Sequence, residues 1–243
     1  MIEAISVVLI VFLAVFTQSL SGFGAALVAM ALLPTIISIR TATPLVALVM
    51  ITIEIFLLLR YRQALNFGTV WRIVAASLVG IPVGLIFLSQ LDERTVMVLL
   101  GLFITGYAIY ALLDDFTHRI HLPKLDHPSW PYIFGLIAGL LGGAYNTSGP
   151  PVIIYGNCRR WGSAEFKSNL QGFFVITSLV ITIGHAWKGN VTPEVWRYFL
   201  WSIPAMVLGL VVGTSLDRYL KPETFRRIVL ALLVVLGTRL VFV

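Results

Sequence analysis

The chain has 243 residues, of which 58% are hydrophobic and 12% charged, against about 25% charged in a soluble domain, so an ordinary water-soluble globule is excluded and a membrane protein is indicated. The net charge of +6 would in a soluble protein point to nucleic acid, but here the basic residues lie at the ends of apolar runs, where orientation by the membrane accounts for them. Cys158 is the only cysteine, which excludes an intrachain disulfide and a thiolate metal cluster.

In chain order, the first 20 residues are apolar, with Glu3 where a signal peptide carries basic residues and no A-x-A cleavage pattern, so they are read as retained. A turn is expected at "SLSGFG", residues 19–24. Residues 42–59, 70–88 and 96–113 then each have about the length a helix needs to cross roughly 30 Å of hydrocarbon. The one long polar stretch, "DDFTHRIHLPKLDHPS" at 114–129, reads as a linker. Beyond it, "GLLGGAYNTSGPP" at 139–151 breaks the next apolar run, and spans are expected at 173–187, 196–216 and 225–243.

The spans are copied. Val70-Trp71-Arg72 and Val195-Trp196-Arg197 each begin an apolar run; Trp71 to Trp196 and Gly84 to Gly209 are both 125 positions apart. Internal duplication of this kind is a mark of transporters. The expected organisation is therefore a first transmembrane repeat at 1–113, the linker at 114–129 and a second repeat at 130–243.

Counting Lys and Arg orients the repeats. If each opening segment (1–39 and 131–158) crosses once, the 17 basic residues divide 8 against 9, with no bias. If each goes in and returns, Arg60, Arg62, Arg72, Arg119, Lys124, Arg159, Arg160, Lys167, Arg218, Lys221, Arg226 and Arg227 share a side, 12 against 5. The positive-inside rule favours the returning hairpin. The expected fold is all-α: a polytopic membrane protein of two inverted repeats, each a broken or re-entrant hairpin followed by three spans, with termini outside and linker inside.

Irregular backbone at membrane depth is tolerated only when buried in protein or lining a wet cavity. The two hairpin tips are therefore expected to meet at the centre. Each opens an outgoing helix with free N–H groups and a positive dipole end. Gly22, Phe23, Gly24 and Gly149 form the close-approach backbone; Ser21, Thr147 and Ser148 bring hydroxyls and Asn146 an amide, and neither tip is acidic. Such tips describe an anion site; small-residue helix packing is the bland alternative.

"SGFGAALVAMALLP" with "RTATPLVAL", and "GLLGGAYNTSGPPVIIYG" with "FKSNLQGFF", resemble the TauE/SafE family of sulfite-exporter-like membrane permeases. The resemblance covers all but the linker. It implies a secondary transporter with duplicated halves, moving small sulfur-containing anions such as sulfite, sulfonates or sulfoacetate.

Other polar residues extend this reading. Gln18 leads into the first tip, while Asn169 and Gln171 follow the second hairpin, and all three are candidate ligands. Glu54, inside the apolar run "VMITIEIFLLLR", and His185, near the end of a span, are candidates for proton coupling. The linker histidines His118, His121 and His127 lack the rigid spacing of a metal site, so no metal and no cofactor is expected. The Walker A pattern is missing, so the chain has no ATPase of its own. An anion channel is the nearest alternative function, and an intramembrane enzyme a more distant one. The expected partners are a small inorganic or organosulfur anion, the bilayer of the inner membrane and protons as coupling ion, with no nucleic acid.

Overall fold

The computed structural model describes residues 2–117, 125, 127–216 and 222–242. Ten α-helices account for almost all of them: α1 (Ile2–Ser21), α2 (Ala25–Leu32), α3 (Ile39–Tyr61), α4 (Phe67–Gln90), α5 (Glu93–Thr117), α6 (Trp130–Tyr145), α7 (Gly149–Cys158), α8 (Ser163–Trp187), α9 (Pro193–Leu216) and α10 (Pro222–Phe242). The described residues contain no strand, and the protein is an all-α, polytopic membrane protein. Among the described residues, six helices are long and apolar enough to cross a membrane, namely α1, α3, α4, α5, α8 and α9. Both expected breaks are present, between α1 and α2 and between α6 and α7. With 20 residues α1 reaches the length of a full span, whereas the 16 residues of α6 reach only about 24 Å at 1.5 Å per residue. The linker residues His118 and His121 lie outside the described residues.

The helices pack as two compact units, and each draws on both halves of the sequence. One unit comprises residues 1–49, 91–121 and 191–243; the other comprises 50–90 and 122–190.

In the second unit the main contact is between α4 and α6. Gly80 and Gly84 of α4 face Gly139, Leu140 and Gly143 of α6, while Gly135, Gly139 and Gly143 lie against the carbonyls of Ile73, Ser77 and Ile81. A Cβ at Gly80 would stand 2.5 Å from the Leu136 oxygen and 2.8 Å from the Leu140 nitrogen. Backbone therefore rests directly on backbone, the close approach that small residues permit between helices in lipid. The buried Ser77 hydroxyl adds a bond to the Gly135 carbonyl at 2.7 Å. Contacts advance together along both chains, so α4 and α6 run parallel. Helix α8 also follows α4: Asn66 meets Asn169 near their starts, and Leu85 meets Gly184 and Lys188 near their ends.

The other unit is built on a similar pairing. Its α1 runs parallel to α9, with Tyr198 bonded to Glu3, Gly209 against Phe12 and Phe16, and Gly213 against Phe16 and Ser19. The duplicated glycines Gly84 and Gly209 thus do the same job, each receiving the opening helix of the other half. Helices α5 and α10 are antiparallel, since Arg94 reaches the Val241 carbonyl while Gly101 meets Gly237.

Short polar caps fix the ends. Glu93 Oε1 accepts the Ser38 hydroxyl at 2.8 Å and the Ile39 N–H at 2.7 Å, closing the start of α3. Asp92 caps α5 by accepting the Thr95 N–H and hydroxyl, and these bonds hold its carboxyl below the usual value.

The seam between α4 and α6 sets a first prediction. Gly84→Ala places a methyl group inside the Leu140 carbonyl contact and is expected to lower stability by about 1–3 kcal/mol, the cost of overpacking. Gly106→Ala on α5 meets nothing within 4 Å and is expected to be neutral or mildly stabilising. Thermal unfolding of the detergent-solubilised variants checks both.

Candidate functional site

The second tip follows from local chemistry. Helix α6 ends when Asn146 takes the left-handed conformation at φ 56°, which Asn tolerates better than other residues with a side chain. Its N–H returns to the Gly142 carbonyl at 2.8 Å and that of Thr147 to the Leu141 carbonyl at 3.3 Å. The first of these bonds is that of the αL helix stop, in which the N–H of the left-handed residue returns to the carbonyl four positions back. Ser148 then precedes α7 without a side-chain cap bond.

Asn146, Thr147 and Ser148 are all buried. The Thr147 hydroxyl, on a residue only 1% exposed, has no hydrogen-bond partner in the protein. Leaving such a group unpaired costs about 1–3 kcal/mol. The backbone contributes less than a helix start ordinarily does. Pro150 and Pro151 occupy the first turn of α7, so two of its N–H donors do not exist.

One face of α8 closes over this tip. Phe174 lies against Gly149 and Ile181 against Gly142. By helical periodicity Gln171, Ser178 and His185 fall on the same stripe, and all three are buried. Ser178 was missed by sequence reading, because an isolated serine inside an apolar helix gives no signal until its face is known.

Asn169 is separated from Gln171 by about 200° around the helix. It turns to the α3–α4 connection, where its Oδ1 accepts the Asn66 N–H at 2.9 Å. Nearby, the Ser168 hydroxyl donates to the Tyr61 carbonyl, Lys167 lies over the Tyr61 ring and Leu65 fills the space above Gly172. Its buried Nδ2 is left without a partner.

A chain of rings holds this hairpin together, from Phe134 to Tyr155 to Trp161 to Phe166. Trp161, in the turn between α7 and α8, is the middle link of this staple.

The first tip is stapled by its own side chains. Gly22 and Gly24 have φ of 82° and 102°, a region where a Cβ would be strained. Gln18 Oε1 accepts the Ala25 N–H at 3.2 Å, capping the start of α2, while its buried Nε2 has no partner. Ser21 lies 2.7 Å from the Thr17 carbonyl and 2.6 Å from that of Phe23. Its single proton is therefore engaged by its own backbone. Phe23 is buried beside a small apolar cavity that Thr17, Ser21 and Gly24 also line.

Glu54 is 3% exposed and lies within α3, so its carboxylate does not snorkel out to headgroup level. His185 is fully buried, with Nδ1 3.0 Å from the Asn190 amide nitrogen. An amide N–H can only donate, so Nδ1 accepts and the neutral ring carries its hydrogen on Nε2, which has no partner in the protein.

A polytopic helical chain with neutral polar groups buried at its helix breaks matches the broken-helix architecture of membrane transporters. The family model described as "Sulfite exporter TauE/SafE" matches residues 7–240, and the chain belongs to that family. It is similar to the "Probable sulfite/organosulfonate exporter TauE" of Cupriavidus necator, with 26% identity over 231 residues, 93% of this chain and 88% of that protein. It is also similar to the "Probable inner membrane transporter protein TsaS" of Comamonas testosteroni, with 30% identity over 182 residues, 72% of this chain and 74% of that protein. No solved structure matches the chain.

The unpaired Thr147 hydroxyl makes a second prediction. Thr147→Val keeps the shape and removes the buried polar group, so thermal stability without anion is expected to stay level or rise. Asn169→Ala is expected to lose stability, because it strips the Asn66 N–H of its acceptor. Unfolding curves of the two variants, recorded side by side, check the contrast.

Proposed function

We propose that the chain is a secondary transporter that exports small sulfur-containing anions, of the sulfite, sulfonate or sulfoacetate class, across the inner membrane by alternating access. The helix-break tips are its anion-handling elements. The observation that carries this reading is the pair of buried, neutral and unpartnered polar atoms at the two breaks, Thr147 Oγ1 and Gln18 Nε2. Neutral donors suit an oxyanion that must bind and then leave. In the first tip Gly22, Phe23 and Gly24 shape the backbone and Ser21 fixes the turn; in the second Gly149 shapes the backbone, and Asn146, Ser148 and Gln171 contribute polar groups.

The inverted-repeat topology belongs to the same proposal. Support comes from helix direction within each unit. In one, α6 and α8 both follow α4, so a chain leaving α6 must return through α7 to the same side. In the other, α1 follows α9 and α5 opposes α10, which places the first hairpin under the same requirement. Together with the bias of basic residues, this supports termini outside and a linker in the cytoplasm. Glu54 and His185, both buried, are the groups proposed to carry protons that couple export to the gradient.

Flux of labelled sulfite, sulfate and organosulfonates in proteoliposomes, with and without a pH gradient, tests the function. Saturable flux of sulfite or a sulfonate that responds to the gradient is expected; unsaturable current would indicate a channel. In the same assay Glu54→Gln is expected to keep anion binding and lose the response to pH.

For the tip, Ser148→Ala and Asn146→Gly each remove one bond to a charged ligand. Glycine is chosen at Asn146 because it keeps the left-handed turn. Such a bond is worth about 1.5–3 kcal/mol, roughly 10- to 150-fold in affinity, as read by calorimetry on purified protein. For topology, a cysteine at Ser129 in a chain lacking Cys158 is expected to resist an impermeant thiol reagent applied to intact cells.

A further inference from the structure

At the starts of α1 and α9 the surface holds a cleft of about 570 Å³, lined by Glu3, Ile5, Val8, Arg197, Tyr198 and Trp201. Its groups are ordered along one direction. Ile5 and Val8 form an apolar wall one and two turns into α1, whereas Glu3 and Arg197 sit at the ends of the two helices, where a bilayer meets water.

The aromatic rings hold the charges in place. The Tyr198 hydroxyl donates to Glu3 Oε1, and the ring of Tyr198 is itself buried. The Arg197 guanidinium lies 5.6 Å from the Tyr198 ring centroid and 5.4 Å from that of Trp201. The guanidinium also hydrogen-bonds the Tyr198 side chain, and its remaining N–H groups form a planar fork of the kind that pairs with phosphate. Glu194 approaches it only at 4.0 Å, and the Arg197 side chain is 54% exposed. Glu3 has a second carboxylate oxygen beyond the one that the phenol occupies. The cleft thus offers a cation and an anion beside an apolar wall, with half-exposed Trp201 against Arg197.

We propose that this cleft binds one phospholipid whose headgroup carries both a phosphate and a primary ammonium. The phosphate sits on Arg197, the ammonium on Glu3, and an acyl chain runs down Ile5 and Val8. An anionic headgroup without the amine would leave Glu3 facing a negative charge. The lipid would bridge α1 to α9, the pair on which the first tip is mounted.

Purified, delipidated protein titrated with dioleoylphosphatidylethanolamine, dioleoylphosphatidylglycerol or chain-free glycerophosphoethanolamine tests the proposal, with native mass spectrometry and thermal unfolding as readouts. The ethanolamine lipid is expected to bind and raise Tm, roughly tenfold more tightly than either other probe. Arg197→Gln and Glu3→Gln, the latter keeping an acceptor for Tyr198, are each expected to weaken it by about tenfold, the value of one charge-assisted bond. Equal binding of the glycerol lipid, equal binding of the chain-free headgroup, or full retention in both variants would overturn it.

Discussion

Backbone contact between α4 and α6 is the constraint from which the second tip follows. Lipid offers helices no hydrophobic drive to associate, so the pair depends on how closely the two backbones can approach. Glycines on both helices remove the side chains that would hold them apart. The seam ends at Gly143, two residues before α6 ends. The break is therefore presented from a fixed support, one that leaves no room for an added atom. The α1–α9 pair repeats the logic with Gly209 and Gly213, ending beside Ser19 just before the first break.

On these supports stands a set of polar groups that the fold itself does not satisfy. Thr147 Oγ1, Gln18 Nε2 and His185 Nε2 are buried without partners, and each such group opposes folding by about 1–3 kcal/mol. The first tip shows the balance clearly. Gln18 spends its oxygen on the Ala25 N–H and Ser21 spends its hydrogen on the backbone, which makes the turn rigid and leaves a single amide nitrogen over. In the second tip, prolines remove the backbone donors and shift the polar character to the side chains.

Much of this was legible in the sequence. Composition gave the membrane, Gly-Pro punctuation located both breaks, and the 125-residue offset matched Gly84 to Gly209 before any packing was known. Side-chain fate was harder to read. The notion of N–H-rich tips overlooked that Pro150 and Pro151 have none to give, although both are plain in the sequence. Asn169 and Gln171 read as neighbours, yet two positions on a helix point almost oppositely, and one serves a loop while the other shares the face of Phe174. Ser178 could not be singled out, since its importance rests on which face of α8 meets Gly142 and Gly149. Nor did the repeat reveal that each opening helix packs against a span of the other half, because such pairing is decided by contact and not by similarity.

That exchanged pairing governs the order in which the molecule can be assembled. As the chain is synthesised, α4 is complete long before α6 exists, and its glycine face must wait in lipid. The wait is longer for α1, whose Glu3 meets Tyr198 across 195 positions of sequence. Neither unit can close while only the first half has been made. A ribosome that stalls in the linker would release a fragment with two unpaired grooves, the glycine face of α4 and the face of α1 that receives Gly209 and Gly213, each shaped to accept a helix from any chain that carries the second half. Complementation between separately expressed halves, and the quality control that removes orphaned ones, would both begin at those grooves.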